Sequence, residues 1–231
     1  MLADSDELLS TLEQKVLPAH AALLVVDVQN DFVADCGFFD QVGADVRTIQ
    51  RAIPPLAQLV DRAREAGVLV VFIQAIYDPQ YLSAPMRERD LRVGRRMPRC
   101  LTGSWGADFH VIAPRPNEPV VIKHRYSAFA SSELDDLLKR RGIRSLLLTG
   151  VATDTCVEST GRDAYFIDYY VTLVADCCAG AAERDHLVAL ERFERDYGAV
   201  VSSADVIEAW ERRGALAMGA PEPRRTNWVL R

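Results

Sequence analysis

The stretch Ala22-Leu23-Leu24-Val25-Val26-Asp27-Val28 decides the fold. A strand with one face in water alternates apolar and polar residues, and this run does not alternate. It is also too short for a buried helix. It therefore reads as a strand covered on both faces, the pattern of a parallel sheet between helices. The same pattern returns at residues 68–74 (VLVVFIQ), 119–123 (PVVIK) and 145–150 (SLLLTG), and more weakly at 170–176 and 199–202. Helical periodicity fills the gaps. Residues 46–66 place Ile49, Ile53, Leu56, Leu59, Val60 and Ala63 at helical spacing, with Gly67 as the stop and Pro54-Pro55 set to kink or split the run. Residues 131–141, with Ser131 or Ser132 as cap and Gly142 after them, are a second helix, and 156–169 and 183–197 are two more. Alternating strands and helices predict an α/β chain: a three-layer α/β/α sandwich with a six-stranded parallel sheet, doubly wound in the Rossmann manner. No internal repeat or low-complexity linker interrupts it, so residues 1–231 are expected to form a single domain. Residues 78–115 fall outside the alternation and read as a long irregular segment.

The 231 residues are 49% hydrophobic and 26% charged, ordinary globular proportions that exclude a disordered or fibrous chain. The formal net charge of −6 argues against nucleic acid as a partner, which needs a basic field. No apolar stretch approaches the ~18 residues of a membrane span, so none is expected, and the acidic start, Met-Leu-Ala-Asp-Ser-Asp-Glu, lacks the basic and apolar regions of a signal peptide. The cysteines at 36, 100, 156, 177 and 178 are irregularly spaced and form no CxxC pair, so they read as thiols of a reducing cytoplasm.

In open parallel sheets ligands bind beyond the carboxyl ends of the strands. Asp27 ends the first strand, Gln74 the second and Lys123 the third, and the fourth runs into Gly150-Val151-Ala152-Thr153-Asp154-Thr155-Cys156. Taken singly, the Asp is a turn residue, the Lys a solvated cation and the Cys a small buried hydrophobe. An acid, a cation and a thiol at three strand tips of one rim are together a candidate catalytic set. Cys156 opens a helix, with Thr153 or Asp154 available as caps, so free backbone N–H groups at the helix start can favour a thiolate and hold an oxyanion.

Three motifs carry a resemblance: Val25-Val26-Asp27-Val28-Gln29-Asn30-Asp31-Phe32, Lys123-His124-Arg125-Tyr126-Ser127-Ala128-Phe129, and Thr149-Gly150-Val151-Ala152-Thr153-Asp154-Thr155-Cys156-Val157-Glu158-Ser159-Thr160. In these the chain resembles the cysteine hydrolase branch of the isochorismatase-like superfamily, ureidoacrylate amidohydrolases in particular. The resemblance implies a catalytic triad of Asp27, Lys123 and Cys156. It also implies a cis peptide between Val151 and Ala152, and an oxyanion hole from the Ala152 and Cys156 N–H groups. It implies amide chemistry on a small-molecule ureido or carbamoyl substrate through a thioester, with no cofactor, in a homodimer or homotetramer.

Phe32, Gln74, Tyr77, Trp105, Tyr126, Val151 and Thr155 are the expected substrate-binding residues. The nicotinamidase branch carries metal-binding histidines after the second strand. Here that stretch reads Ile76-Tyr77-Asp78-Pro79-Gln80-Tyr81, so no metal is expected. His124 adjoins Lys123, but neighbouring strand residues face opposite ways, which speaks against a Cys–His dyad. The arginines at 87, 89, 92, 95, 96 and 99 leave two readings, a solvated face or a grip on a substrate carboxylate. Two other functions stand beside the ureido reading: hydrolysis of a simple amide by nicotinamidase-like chemistry without metal, and a non-catalytic scaffold with a silent triad.

Overall fold

A computed structural model describes residues 8–130 and 132–217, with side chains to residue 213. The N-terminal residues 1–7, the proposed cap Ser131 and the Pro- and Arg-containing tail from Pro221 lie outside the described residues. Six strands form one sheet: β1 (Ala21–Val26), β2 (Leu69–Ala75), β3 (Val120–Lys123), β4 (Ser145–Val151), β5 (Tyr170–Ala179) and β6 (Ala199–Val201). Their order is β3-β2-β1-β4-β5-β6, and every pairing is parallel. This is the doubly wound arrangement expected from the alternation.

The unbroken apolar run of β1 has its cause in the two cores. Leu23 and Val25 point into one, packed with Leu56, Leu59, Val60 and Ala63 of the helix Ile53–Ala66 and with Val206, Ala209 and Trp210. Ala22, Leu24 and Val26 point into the other, against Leu134, Leu138, Ala164 and Phe193. All six residues of β1 are fully buried, so a polar side chain at any of them would enter a core. The double proline splits the long helical stretch, leaving Val46–Gln50 as a short helix before Ile53–Ala66. Ser132 serves the start of the helix Leu134–Arg140, its hydroxyl accepting the Leu134 N–H at 3.2 Å.

Besides the four-residue helices Leu12–Lys15, Asn30–Val33 and Phe38–Gln41, two longer helices lie where the sequence predicts none. Ser203–Ala217 packs Val206, Ala209 and Trp210 on the first core, and the Trp210 indole donates to the Val16 carbonyl at 2.9 Å. Ala84–Arg92 lies inside the segment read as irregular. It has no apolar stripe, and Asp90 is its buried residue. No helix among the described residues is long and apolar enough to cross a membrane.

Candidate active site

The strand order reverses between β1 and β4, and a doubly wound sheet opens a crevice at that point beyond the carboxyl ends of its strands. Asp27 follows β1 directly. Its φ of 53° lies in the left-handed region, so the chain leaves the sheet plane there. Gly150 sits opposite Val26 in the β1/β4 ladder with φ of 105°. A Cβ at Gly150 would stand 2.0 Å from the Val26 carbonyl oxygen, so only glycine allows this close approach. The Val151–Ala152 peptide that follows is cis. Cys156 then lies in a single wide π-helical turn, Thr153–Val157, closed by the Val157 N–H on the Ala152 carbonyl at 3.1 Å, before the helix Glu158–Phe166.

Neither Thr153 nor Asp154 caps this turn. The Thr153 hydroxyl is engaged with His186 Nδ1 at 2.7 Å, a pairing between side chains 33 residues apart that spacing cannot reveal. Thr160 ties the turn to the segment after Lys123. Its hydroxyl donates to the Cys156 carbonyl at 2.7 Å and accepts the Ala128 N–H at 3.0 Å.

Asp27, Lys123 and Cys156 converge. Lys123 Nζ lies 2.7 Å from Asp27 Oδ2 and 3.4 Å from Cys156 Sγ, and donates to the Arg125 carbonyl at 2.9 Å. Asp27 and Lys123 are fully buried, and Cys156 is 7% exposed. Burial raises the Asp27 pKa above its ordinary value, with the charge of Lys123 and hydrogen bonds to Lys123 and Cys156 opposing it. Burial pulls Lys123 down, but the charges of Asp27 and Cys156 outweigh it and hold the ammonium firmly protonated. Burial also pushes the Cys156 thiol up to about 12, with Lys123 pulling down and Asp27 pushing up. The resting sulfur is therefore a thiol, not the thiolate that a helix start favours: desolvation outweighs the nearby ammonium. Its proton needs an acceptor, and the Asp27 carboxylate, paired with the same Lys123 ammonium, is the anion beside it.

A pocket of about 70 Å³ opens over Cys156, lined by Phe32, Phe38, Phe39, Tyr77, Arg89, Arg95, Arg99, Tyr126, Val151, Ala152, Thr155 and Cys156. That volume suits a small molecule. Of the seven expected substrate-binding residues, Phe32, Tyr77, Tyr126, Val151 and Thr155 line it. Gln74 and Trp105 do not. The Gln74 amide donates to the Ala107 carbonyl at 2.8 Å and is spent on holding that turn. The Trp105 ring is 54% exposed, while its carbonyl accepts the Asn30 amide at 2.8 Å. His124 turns away from Cys156, its Nδ1 2.7 Å from the Ile76 carbonyl and its ring stacked on Tyr81.

Phe38 and Phe39 were not among the expected lining residues, and of the arginines left between two readings, those at 89, 95 and 99 line the pocket. The polar residues after Asp27 frame these walls. The Gln29 amide spans the Ala75 and Ala107 carbonyls, and Asp31 accepts the Phe38 and Cys100 N–H groups. Among the described residues no cluster of three or more His, Cys, Asp or Glu side chains could hold a metal ion.

Comparison with known proteins places this geometry. The ureidoacrylate amidohydrolase RutB of Enterobacter sp. (strain 638) is 36% identical over 206 residues, 83% of this chain and 90% of that protein. The crystal structure of a cysteine hydrolase from Pseudomonas syringae pv. phaseolicola 1448A superposes with a TM-score of 0.74 at 24% identity, covering 84% of this chain and 93% of that one. N-carbamoylsarcosine amidase from Thermoplasma acidophilum does so at 0.64 and 25% identity, over 80% and 96% of the two chains. The isochorismatase domain model matches residues 21–206, which contain every strand and all three converging side chains. The chain belongs to the isochorismatase domain family.

Proposed function

We propose that this protein is a metal-independent cysteine amidohydrolase that cleaves a C–N bond of a small ureido or carbamoyl compound, with residues 1–231 acting as a single domain. One observation carries the reading: a buried ammonium lies 2.7 Å from a carboxylate and 3.4 Å from a thiol sulfur at a pocket of small-molecule size. RutB and N-carbamoylsarcosine amidase, whose names specify ureido and carbamoyl substrates, support that choice of substrate.

Asp27 takes the Cys156 proton as sulfur attacks the carbonyl carbon, and the Lys123 ammonium stabilises the charge that develops. The tetrahedral oxyanion is received by the Ala152 and Cys156 N–H groups. The C–N bond breaks, and Asp27 returns the proton to nitrogen, which leaves as ammonia or an amine. Water then gives a proton to Asp27 and attacks the S-acyl carbon. The C–S bond breaks, the thiol is re-formed and an acid is released. From a ureido group that acid is a carbamic acid, which divides into an amine and carbon dioxide. The raised Asp27 suits this work, being a stronger base than an exposed carboxylate.

We place the enzyme in the cytoplasm, supported by five unpaired cysteines, and expect a homodimer or homotetramer, measurable by light scattering. The activity is tested by ammonia release from a panel of ureido acids, carbamoyl amino acids, biuret and nicotinamide. Cys156→Ala is expected to lower turnover of an active member by at least ~10⁴-fold. Retained turnover in that variant refutes the nucleophile.

A further inference from the structure

Three guanidinium groups share the pocket wall with Cys156. Arg99 is buried at 6% exposure and donates to Asp90 Oδ2 at 3.1 Å. Arg95 lies 3.6 Å and Arg89 3.4 Å from Asp90 Oδ1. Asp90 is thus one carboxylate among three cations, and no Asp or Glu lines the pocket. The local charge is unbalanced by two. Crowding leaves its mark on Arg95, whose pKa is lowered by burial first and then by Arg89 and Arg99. The aromatic walls hold the planes in place: Arg95 and Arg99 lie 5.3 and 5.6 Å over the Phe38 ring, and Arg99 lies 4.8 Å over Tyr77. Tyr77 lines the same pocket at 4% exposure, and its buried hydroxyl has no hydrogen-bond partner. A buried O–H left unpaired beside surplus cations is a donor waiting for an acceptor. The other arginines of the run, Arg87, Arg92 and Arg96, are exposed, and Arg92 pairs with Glu88 along the helix. The run therefore divides, half of it turned to water and half to the pocket.

We infer that Arg95, Arg99 and the Tyr77 hydroxyl, with Arg89 beside them, form a carboxylate subsite, so that the substrate is an anion held by its carboxylate while its carbonyl meets Cys156. A guanidinium offers two parallel N–H donors matched to the two oxygens of a carboxylate, and the low-dielectric wall strengthens each bond. Asp90 is a positioning residue that aims the guanidiniums. The inference rests on the hydrolase reading, and its test is a binding measurement that needs no turnover.

Calorimetry on Cys156→Ala protein compares ureido acids having two to four carbons with their methyl esters. The acids are expected to bind at least roughly tenfold more tightly than the esters, the value of one charge-assisted hydrogen bond. Arg95→Gln is expected to narrow that preference by weakening the acid more than the ester, and an undiminished preference in the folded variant overturns the subsite. If Arg95→Gln fails to fold, raising salt on the Cys156→Ala protein must narrow the gap between acid and ester. Equal affinity for acid and ester, or no binding of any acid at millimolar concentration, overturns the subsite. An intact acid preference together with Cys156-independent ammonia release overturns the hydrolase reading and leaves the subsite standing.

Discussion

Replacing Asp27 with asparagine separates what the buried ion pair does for folding from what it does for chemistry. Lys123 is fully buried, and Asp27, 2.7 Å away, is its counterion. At an effective dielectric of ~20 that contact corresponds to an attraction of about 6 kcal/mol, most of it offset by desolvation of the two groups. Removing one partner of such a pair strands the other, at about 3–5 kcal/mol. Asp27→Asn should therefore lower the melting temperature by roughly 6–20 °C in a chain of this size. The double variant Asp27→Asn/Lys123→Met removes both charges and should recover most of that loss, while ammonia release stays absent in both. The dependence on pH adds a second signature. In the native protein Lys123 is raised, so its contribution is complete below 10.5 and lost as pH climbs past that value. In Asp27→Asn the buried lysine lacks its counterion and its pKa falls below 10.5, so the unfolded chain binds more protons and stability rises with pH from 7 toward 10. Urea unfolding at several pH values reads both effects. An unchanged melting temperature in Asp27→Asn, or a double variant no better than the single, would refute a buried charged pair.

Other outcomes follow from the same geometry. Asp27 must be ionised to accept the thiol proton and burial raises it above 3.8, so kcat/KM should fall on the acid side with an inflection above that value. With Cys156 pushed up to about 12, this trio should produce no alkaline limb below pH 10; a limb near pH 9 would contradict the neutral thiol. Gly150→Ala drives a Cβ to 2.0 Å from the Val26 carbonyl at a positive φ, so calorimetry should show a loss of about 2–4 kcal/mol. Thr160→Val keeps the shape but strips the hydroxyl that links Cys156 to Ala128, leaving a buried N–H unpaired. It should cost about 1–3 kcal/mol in thermal unfolding, and full stability would deny that link.

The strands were legible because each central one is buried on both faces, a burial pattern written directly into Val, Leu and Ile. The rule that ligands gather at strand tips brought out Asp27, Lys123 and Cys156, and their joint roles came from the motif resemblance. Ala84–Arg92 escaped because it presents no apolar stripe to read. Ser203–Ala217 carried a readable signal in Val206, Ala209 and Trp210, spaced by three and then one, which went unassigned. Gln74 lies off the pocket because the Ala107 carbonyl has taken its amide, and Trp105 because it faces water, two facts that residue type alone does not reveal.

What the linear chain settled by itself was the layering, since hydrophobic periodicity is a local property. What it left open was the division of the arginine run. Arg95 and Arg96 are adjacent and chemically identical, yet one lines the pocket and the other faces water. Their difference lies in Asp90, Phe38 and Tyr77, brought together from three separate stretches of sequence by the folded backbone. Electrostatic and ring contacts of that kind depend on distance in space, so only the tertiary structure could decide which charges meet a substrate.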